Sequence, residues 1–371
     1  MGPTLNSLAD QTGVTLSAIG LVLTTRSLGY LLGAMGSGRW IDRTSAHRTL
    51  GLTLAVSAVC VAAVPFAGNL PLLLAIMAIL GWTLGGMDVA GNALVLKVYR
   101  NRAAPYINGL HFFFGLGGLV APFVVAAAMR LTGEIGWAYW ALAMVPIPFV
   151  AILLRRPMQG DAGSKRSPNV SRNAKLTIGF VLAASIYLFY VGGQIGLVSW
   201  LFVFVEEYAD AQVATHVMGG FWAAFSLFRL LGVLFSRRWT SRQILVVDFT
   251  VAILAAIPLM IWPGARWALW IGALGLGAAH ASIYATVIML LGEHTPLSGR
   301  QMSVITVSAC GGSMLFPWLM GRLLSVVGPL VVPGLSTVLM VIAFAVTLGV
   351  MRRATIRQRR ERRPEVVSGG S

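Results

Sequence analysis

The residues of this sequence best able to do chemistry stand where ionisable groups are scarce. Asp88 and Asn92 lie four apart inside the apolar stretch 70–96, so on a helix they share one face, a single turn apart. A carboxylate beside a carboxamide can hold a cation, pass a proton, or exchange hydrogen bonds with hydroxyl groups. His111 reaches about 9 Å into the next apolar stretch if its helix starts near Pro105, and Asp88 lies about 13 Å from Lys97. A short loop joins the two stretches. A contact in which Asp88 only satisfies His111 or a neighbouring backbone is therefore open, beside a role toward a bound solute.

Arg26, Arg229 and Asp248 complete the charges within apolar stretches, with His280 as further titratable company. An ionisable group in hydrocarbon costs at least roughly 2.5–3.5 kcal/mol, which makes each a candidate for function. Arg26 has no acid near it in sequence and needs a wet cavity, as a solute or counter-ion group. Arg229 is close enough to a basic loop for its guanidinium to reach the surface. Asp248 is closer still, which suits gating or helix-end pairing. Tyr284, one turn from His280, and Gln194 supply a hydroxyl and an amide. Trp200 and Trp222 offer aromatic faces suited to sugars, and interfacial anchoring accounts for Trp200 equally well. No nucleotide motif, metal-ligand cluster or nucleophile–base constellation occurs, which argues against an enzyme and calls for no cofactor or metal.

The elements that must position these groups follow from composition. Of 371 residues, 57% are hydrophobic and 11% charged, with a mean hydropathy of +0.79. Soluble domains carry about 25% charged residues, so the fold class is an all-α polytopic membrane protein. About 20 apolar residues cross a bilayer. Eleven such spans are predicted, at 17–38, 49–67, 70–96, 107–129, 137–154, 176–205, 212–235, 244–262, 266–291, 301–325 and 328–351. The net charge of +16 is not a nucleic-acid footprint. Of 28 Lys and Arg, 23 fall in alternate loops and the tail, three in the opposite loops and two within spans. That asymmetry is the positive-inside rule and places residues 1–16 on the outer side. Cys60 and Cys310 lie in separate apolar spans and read as free thiols.

The chain repeats itself. Ser27–Arg43 reads SLGYLLGAMGSGRWIDR and Ser226–Arg242 reads SLFRLLGVLFSRRWTSR, at an offset of 199, and Arg229 takes the place of Tyr30. A period near half the chain fits two related membrane halves. The predicted division is an N-terminal bundle over 1–154, a Gly/Ser/Pro-rich basic linker over 155–175, a C-terminal bundle over 176–351 and a basic tail over 352–371. The halves hold five and six spans, so the first helix of the first half is expected to be missing. In a weaker repeat, Leu84 to Asp88 matches Leu276 to His280, with Tyr284 mirroring Asn92.

Gly38-Arg39-Trp40-Ile41-Asp42-Arg43 resembles the cytoplasmic loop signature of the major facilitator superfamily. Thr44, Ser45, Ala46 and His47 depart from its usual continuation, and Ser241 replaces the acid in the second copy. Gly85-Gly86-Met87-Asp88-Val89-Ala90-Gly91-Asn92 resembles the acid-x-x-x-Asn stretch of the fucose–proton symporters and sodium-dependent glucose transporter-like proteins. The stretch from Asn108 through Gly118 to Pro122 and the opening Gly2-Pro3-Thr4-Leu5 are similar to the same group. The resemblance implies two bundles, a solute bound between them near the midplane, and alternating access by rocking. It implies a secondary transporter of a small polar solute, most often a sugar, coupled to a proton or sodium ion. Expected partners are that solute, the coupling ion and the lipid bilayer, with no nucleic acid, for a monomer in the inner (plasma) membrane. Arg26, Asp88, Asn92, His111, Gln194, His280 and Tyr284 are the expected binding residues. Gly38, Asp42, Arg43 and Arg300 are the expected gate, Asp42 latching onto the helix that begins near Arg300. An efflux transporter, or a remnant that no longer transports, is the alternative.

Overall fold

In the computed structural model, residues 2–99, 104–155, 178–235, 238–292 and 299–362 are described. After a 3-10 turn at Gly2–Thr4 they form α1 (Leu5–Thr12), α2 (Leu16–Ile19), α3 (Leu21–Arg43), α4 (Ala46–Ala63), α5 (Leu70–Tyr99), α6 (Ala104–Thr132), α7 (Gly136–Met144) and α8 (Ile147–Arg155). The second half holds α9 (Ile178–Tyr208), α10 (Ala211–Phe235), α11 (Ser241–Ile261), α12 (Arg266–Gly292), α13 (Gly299–Val327) and α14 (Val331–Arg362). In hydrocarbon every backbone N–H needs an internal partner, which an apolar chain meets by forming helices. Among the described residues ten spans are long and apolar enough to cross a membrane, so this is a multi-pass membrane protein. The seventh predicted span, 212–235, is the 25-residue α10, outside that set of ten.

Local signals set the boundaries. Gly13, at φ 66, ends α1, and its N–H reaches the carbonyls of Ala9 and Asp10, the left-handed cap that glycine favours. Thr15 then caps α2 by accepting from Ala18 N. A capping box of Thr240 and Gln243 starts α11. The predicted span 137–154 is broken between Met144 and Ile147, where Pro146 has no N–H to donate.

Glycines set the tightest packing. A Cβ at Gly29, Gly33, Gly81 or Gly85 would fall 2.0–2.2 Å from the backbone oxygen of Ala78, Trp82, Arg26 or Tyr30 respectively. Two small-xxx-small pairs therefore bring α3 and α5 into backbone contact. In the second half α9 is held between α13 and α14, with Gly312 against the Leu188 carbonyl and Ser336 Oγ donating to the Gly193 carbonyl at 3.2 Å. Among the described residues no helix takes the corresponding place between α6 and α8. The α6 and α7–α8 spans are 11% and 17% buried, against 44% and 39% for α13 and α14.

The two sets of helices touch chiefly toward the outer side. Thr24 Oγ1 donates to the Met314 carbonyl at 2.9 Å and Ser27 Oγ to the Ser313 carbonyl at 3.2 Å. On α6 and α10, Gly115 meets Ser226, Gly118 meets Trp222, and Phe123 covers Gly219. The N-terminal turn adds to this seal. Asn6 Nδ2 donates to Glu206 Oε2 at 2.7 Å, Thr4 and Tyr139 share a hydrogen bond of 2.9 Å, and Gln11 Nε2 lies within reach of the carbonyls of Val64, Pro65 and Ala67. Toward the cytoplasmic ends, Gly36 and Gly38 face open space, and Met35 is 64% exposed. Among the described residues, the contacts between the two sets of helices lie toward the outer side.

Candidate solute-binding site

The glycine seam determines what stands beside Asp88. Tyr30 follows Gly29 on α3, and Asp88 lies three residues past Gly85 on α5. With the backbones in contact, the Tyr30 hydroxyl donates to Asp88 Oδ2 at 2.6 Å. Asn92 Nδ2 donates to Asp88 Oδ1 at 2.9 Å and to the Asp88 carbonyl at 2.8 Å. Those bonds use both amide hydrogens and leave the Asn92 oxygen as an acceptor. Asp88 is exposed and Asn92 half-buried, so the carboxylate is oriented by two donors and is still accessible.

The opposite wall comes from the second half. Tyr284 on α12 lies within electrostatic range of Asp88, Tyr30 and Cys310. Arg229 on α10 is within range of Tyr284 and Tyr190, its guanidinium 5.5 Å from the centroid of the Phe225 ring. Tyr187 and Tyr190 donate to the carbonyls of Tyr284 and His280, at 2.8 and 2.9 Å, and fix this stretch of α12. The acid and amide of the first half thus have Tyr284 of the second half within electrostatic range, and Tyr284 in turn has Arg229; acids, amides and phenols are the kind of groups that bind hydroxyl-rich solutes.

The remaining expected residues are distributed differently. Arg26 is one turn outward of Tyr30. It is half-buried, its Nε has no hydrogen-bond partner, and it forms no ion pair among the described residues. It therefore does not neutralise Asp88. Gln194 is half-buried on α9 and makes no side-chain hydrogen bond among the described residues. His280 is fully buried, its Nδ1 2.6 Å from the Leu276 carbonyl and its ring stacked 5.9 Å from Tyr190. Its turn of α12 lies under the outward seal, where Gly277 packs on the Phe221 carbonyl. Tyr284, one turn further inward, lies within electrostatic range of Asp88 instead. Trp200 is buried in the seal with Nε1 donating to the Pro317 carbonyl at 2.8 Å, and Trp222 crosses Phe114 at 5.6 Å. Gly38 has no described neighbour within 4 Å of an added Cβ, and the side chains of His111, Asp42, Arg43 and Arg300 fall outside the described residues.

Sequence reasoning missed Tyr30 as the partner of Asp88. The signal was present: Gly29/Gly33 and Gly81/Gly85 are matching small-residue pairs, with Tyr30 directly after Gly29 and Asp88 three residues after Gly85.

Comparison with known proteins decides the family. Residues 1–317 match the sequence profile of the Major Facilitator Superfamily. The chain belongs to that superfamily. Among its relatives, sodium-dependent glucose transporter 1 of Xenopus laevis is 24% identical over 353 residues, covering 87% of this chain and 72% of the relative. The human protein of the same name is 24% identical over 362 residues, covering 87% and 70%. Protein TsgA of Escherichia coli O157:H7 is 26% identical over 361 residues, covering 92% and 89%. A crystal structure of the E. coli fucose:proton symporter FucP matches with a TM-score of 0.60 at 17% identity, over 94% of this chain and 95% of that one. This superfamily transporter therefore has its candidate site where its two halves face each other.

Proposed function

We propose that this superfamily member is a secondary active transporter that moves a small polar solute, a sugar, by ion-coupled alternating access. The observation that carries the reading is Asp88. It is an exposed acid held by Tyr30 and Asn92 and within electrostatic range of Tyr284 of the second half. Hydroxyls of a sugar meet Asp88 and the Asn92 oxygen on one wall, and Tyr284, Gln194 and Arg229 on the other. Asp88 is also the group that carries the coupling ion. The relatives named for glucose and fucose transport support the solute class.

The test is counterflow in proteoliposomes loaded with D-glucose or with L-fucose, followed by accumulation under an imposed proton or sodium gradient. Counterflow of at least one sugar, and accumulation driven by one of the two gradients, is expected. Absence of counterflow with both sugars overturns the solute class. Counterflow that neither gradient drives uphill overturns the coupling.

A further inference from the structure

The faces of α3 are assigned by what they touch. Thr24 and Ser27 donate to carbonyls of α13, and Gly29 and Gly33 pack on α5. Leu21, Leu28 and Leu32 form an exposed stripe. At 3.6 residues per turn, Arg26 and Tyr30 lie opposite that stripe, between the α5 and α13 faces. Residues four apart on a helix have their Cβ atoms about 5–6 Å apart, and the Tyr30 hydroxyl is the one that holds Asp88. Arg26 therefore points into the protein, one turn outward of the group that orients the Asp88 carboxylate.

No described acid serves Arg26. Asp88 accepts from Tyr30 and Asn92, Asp248 accepts from Ser282 of α12, and Glu206 accepts from Asn6. Among the described residues Arg26 forms no ion pair, and its enclosed Nε has no hydrogen-bond partner. Arg229, by contrast, has the Phe225 ring beside it and the phenols of Tyr190 and Tyr284 within range. An enclosed cation without an anion is costly, and a guanidinium does not shed its proton to escape that cost. The Nε–H belongs to the edge that, with a neighbouring Nη–H, forms a fork for the two oxygens of a carboxylate. The side chain is half-buried, so it remains accessible.

We infer that Arg26 is the carboxylate-binding residue of the solute site, and that the solute is a sugar acid with one negative charge, of the hexuronate kind. The inference rests on the transporter reading and narrows its solute class. The carboxylate takes the free edge of Arg26, and the ring hydroxyls reach Asp88 and Asn92 on the inward side. One unpaired cation balances one charge, so a sugar phosphate would bring a second charge with no partner. Neutral sugars make the same hydroxyl contacts but leave Arg26 unpaired, and so bind more weakly.

Equilibrium binding tests this apart from transport. The purified full chain in lipid nanodiscs is titrated by calorimetry with D-glucuronate, its methyl ester, D-glucose and sodium acetate. The ester keeps the ring and removes the charge. Wild type is expected to bind the acid at least tenfold more tightly than the ester, D-glucose or acetate, the least that one charged hydrogen bond supplies. Arg26→Gln should bring the acid down to the level of the ester and leave the ester unchanged. Arg26→Lys keeps the charge without the fork. It should lower affinity for the acid and spare the ester, and it decides alone if Arg26→Gln does not fold. Equal binding of acid and ester by wild type, a preference that no Arg26 variant lowers, or acetate binding as tightly as the acid overturns the inference. Arg26-dependent binding of glucuronate in a chain that catalyses no counterflow leaves the site standing and removes the transport reading. Counterflow of D-glucose with no preference for the acid does the reverse.

Discussion

At the scale of residues, the account turns on how one carboxylate is held. Asp88 receives a hydrogen bond from Tyr30 at 2.6 Å and one from Asn92 at 2.9 Å. Bonds to a charged group contribute about 1.5–3 kcal/mol each. Tyr30→Phe removes one donor without changing volume, so the KM of the transported sugar should rise roughly tenfold or more with protein yield unchanged, since about 1.4 kcal/mol is tenfold. An unchanged KM in proteoliposome uptake would remove Tyr30 from the site. Asp88 and Asn92 were legible because an acid and an amide are costly to keep within an apolar stretch unless they serve a task there. Tyr30 was not, since a tyrosine in a membrane helix says nothing by itself about its neighbour. His280 and Tyr284 were read together because they are one turn apart. Which of them comes within range of Asp88 depends on how deep the outward seal reaches, and residue spacing along α12 does not encode that.

At the scale of elements, the α3–α5 seam puts Tyr30 and Asp88 in register. At Gly85 an added Cβ would lie 2.1 Å from the Tyr30 carbonyl, so a larger residue must part the helices. Gly85→Leu is expected to lower the thermal unfolding midpoint in detergent and to abolish transport. Gly36→Leu, at a position facing open space, should leave the midpoint within measurement error. Equal effects at the two positions would show that the seam does not set the packing. Spans were legible from runs of about 20 apolar residues, and the break before Ile147 follows from Pro146. Their pairing was not, because helices apolar on most sides carry no amphipathic stripe to name a partner. The glycine pairs carry that information in its place.

At the scale of the whole molecule, the described contacts between the halves lie toward the outer side. The N-terminal turn contributes the Asn6–Glu206 hydrogen bond of 2.7 Å and the contact of Gln11 with the end of α4. Transport requires that seal to open. A cross-link between cysteines placed at Asn6 and Glu206, in a chain with Cys60 and Cys310 replaced, should stop counterflow, and cleaving the link should restore it. Counterflow that continues through the cross-link would mean the seal does not move. Two related halves are the expectation from the repeat at offset 199; which side the described contacts between helices seal was not legible, because every state of the cycle shares one sequence.

The central claim is that Asp88 couples the ion to the solute, and Asp88→Asn in proteoliposomes tests it most directly. The asparagine keeps size and hydrogen bonding but cannot carry charge or exchange a proton. The account predicts that gradient-driven accumulation of the transported sugar is lost while counterflow of the same sugar survives. Accumulation equal to wild type, under the same gradient, would contradict it.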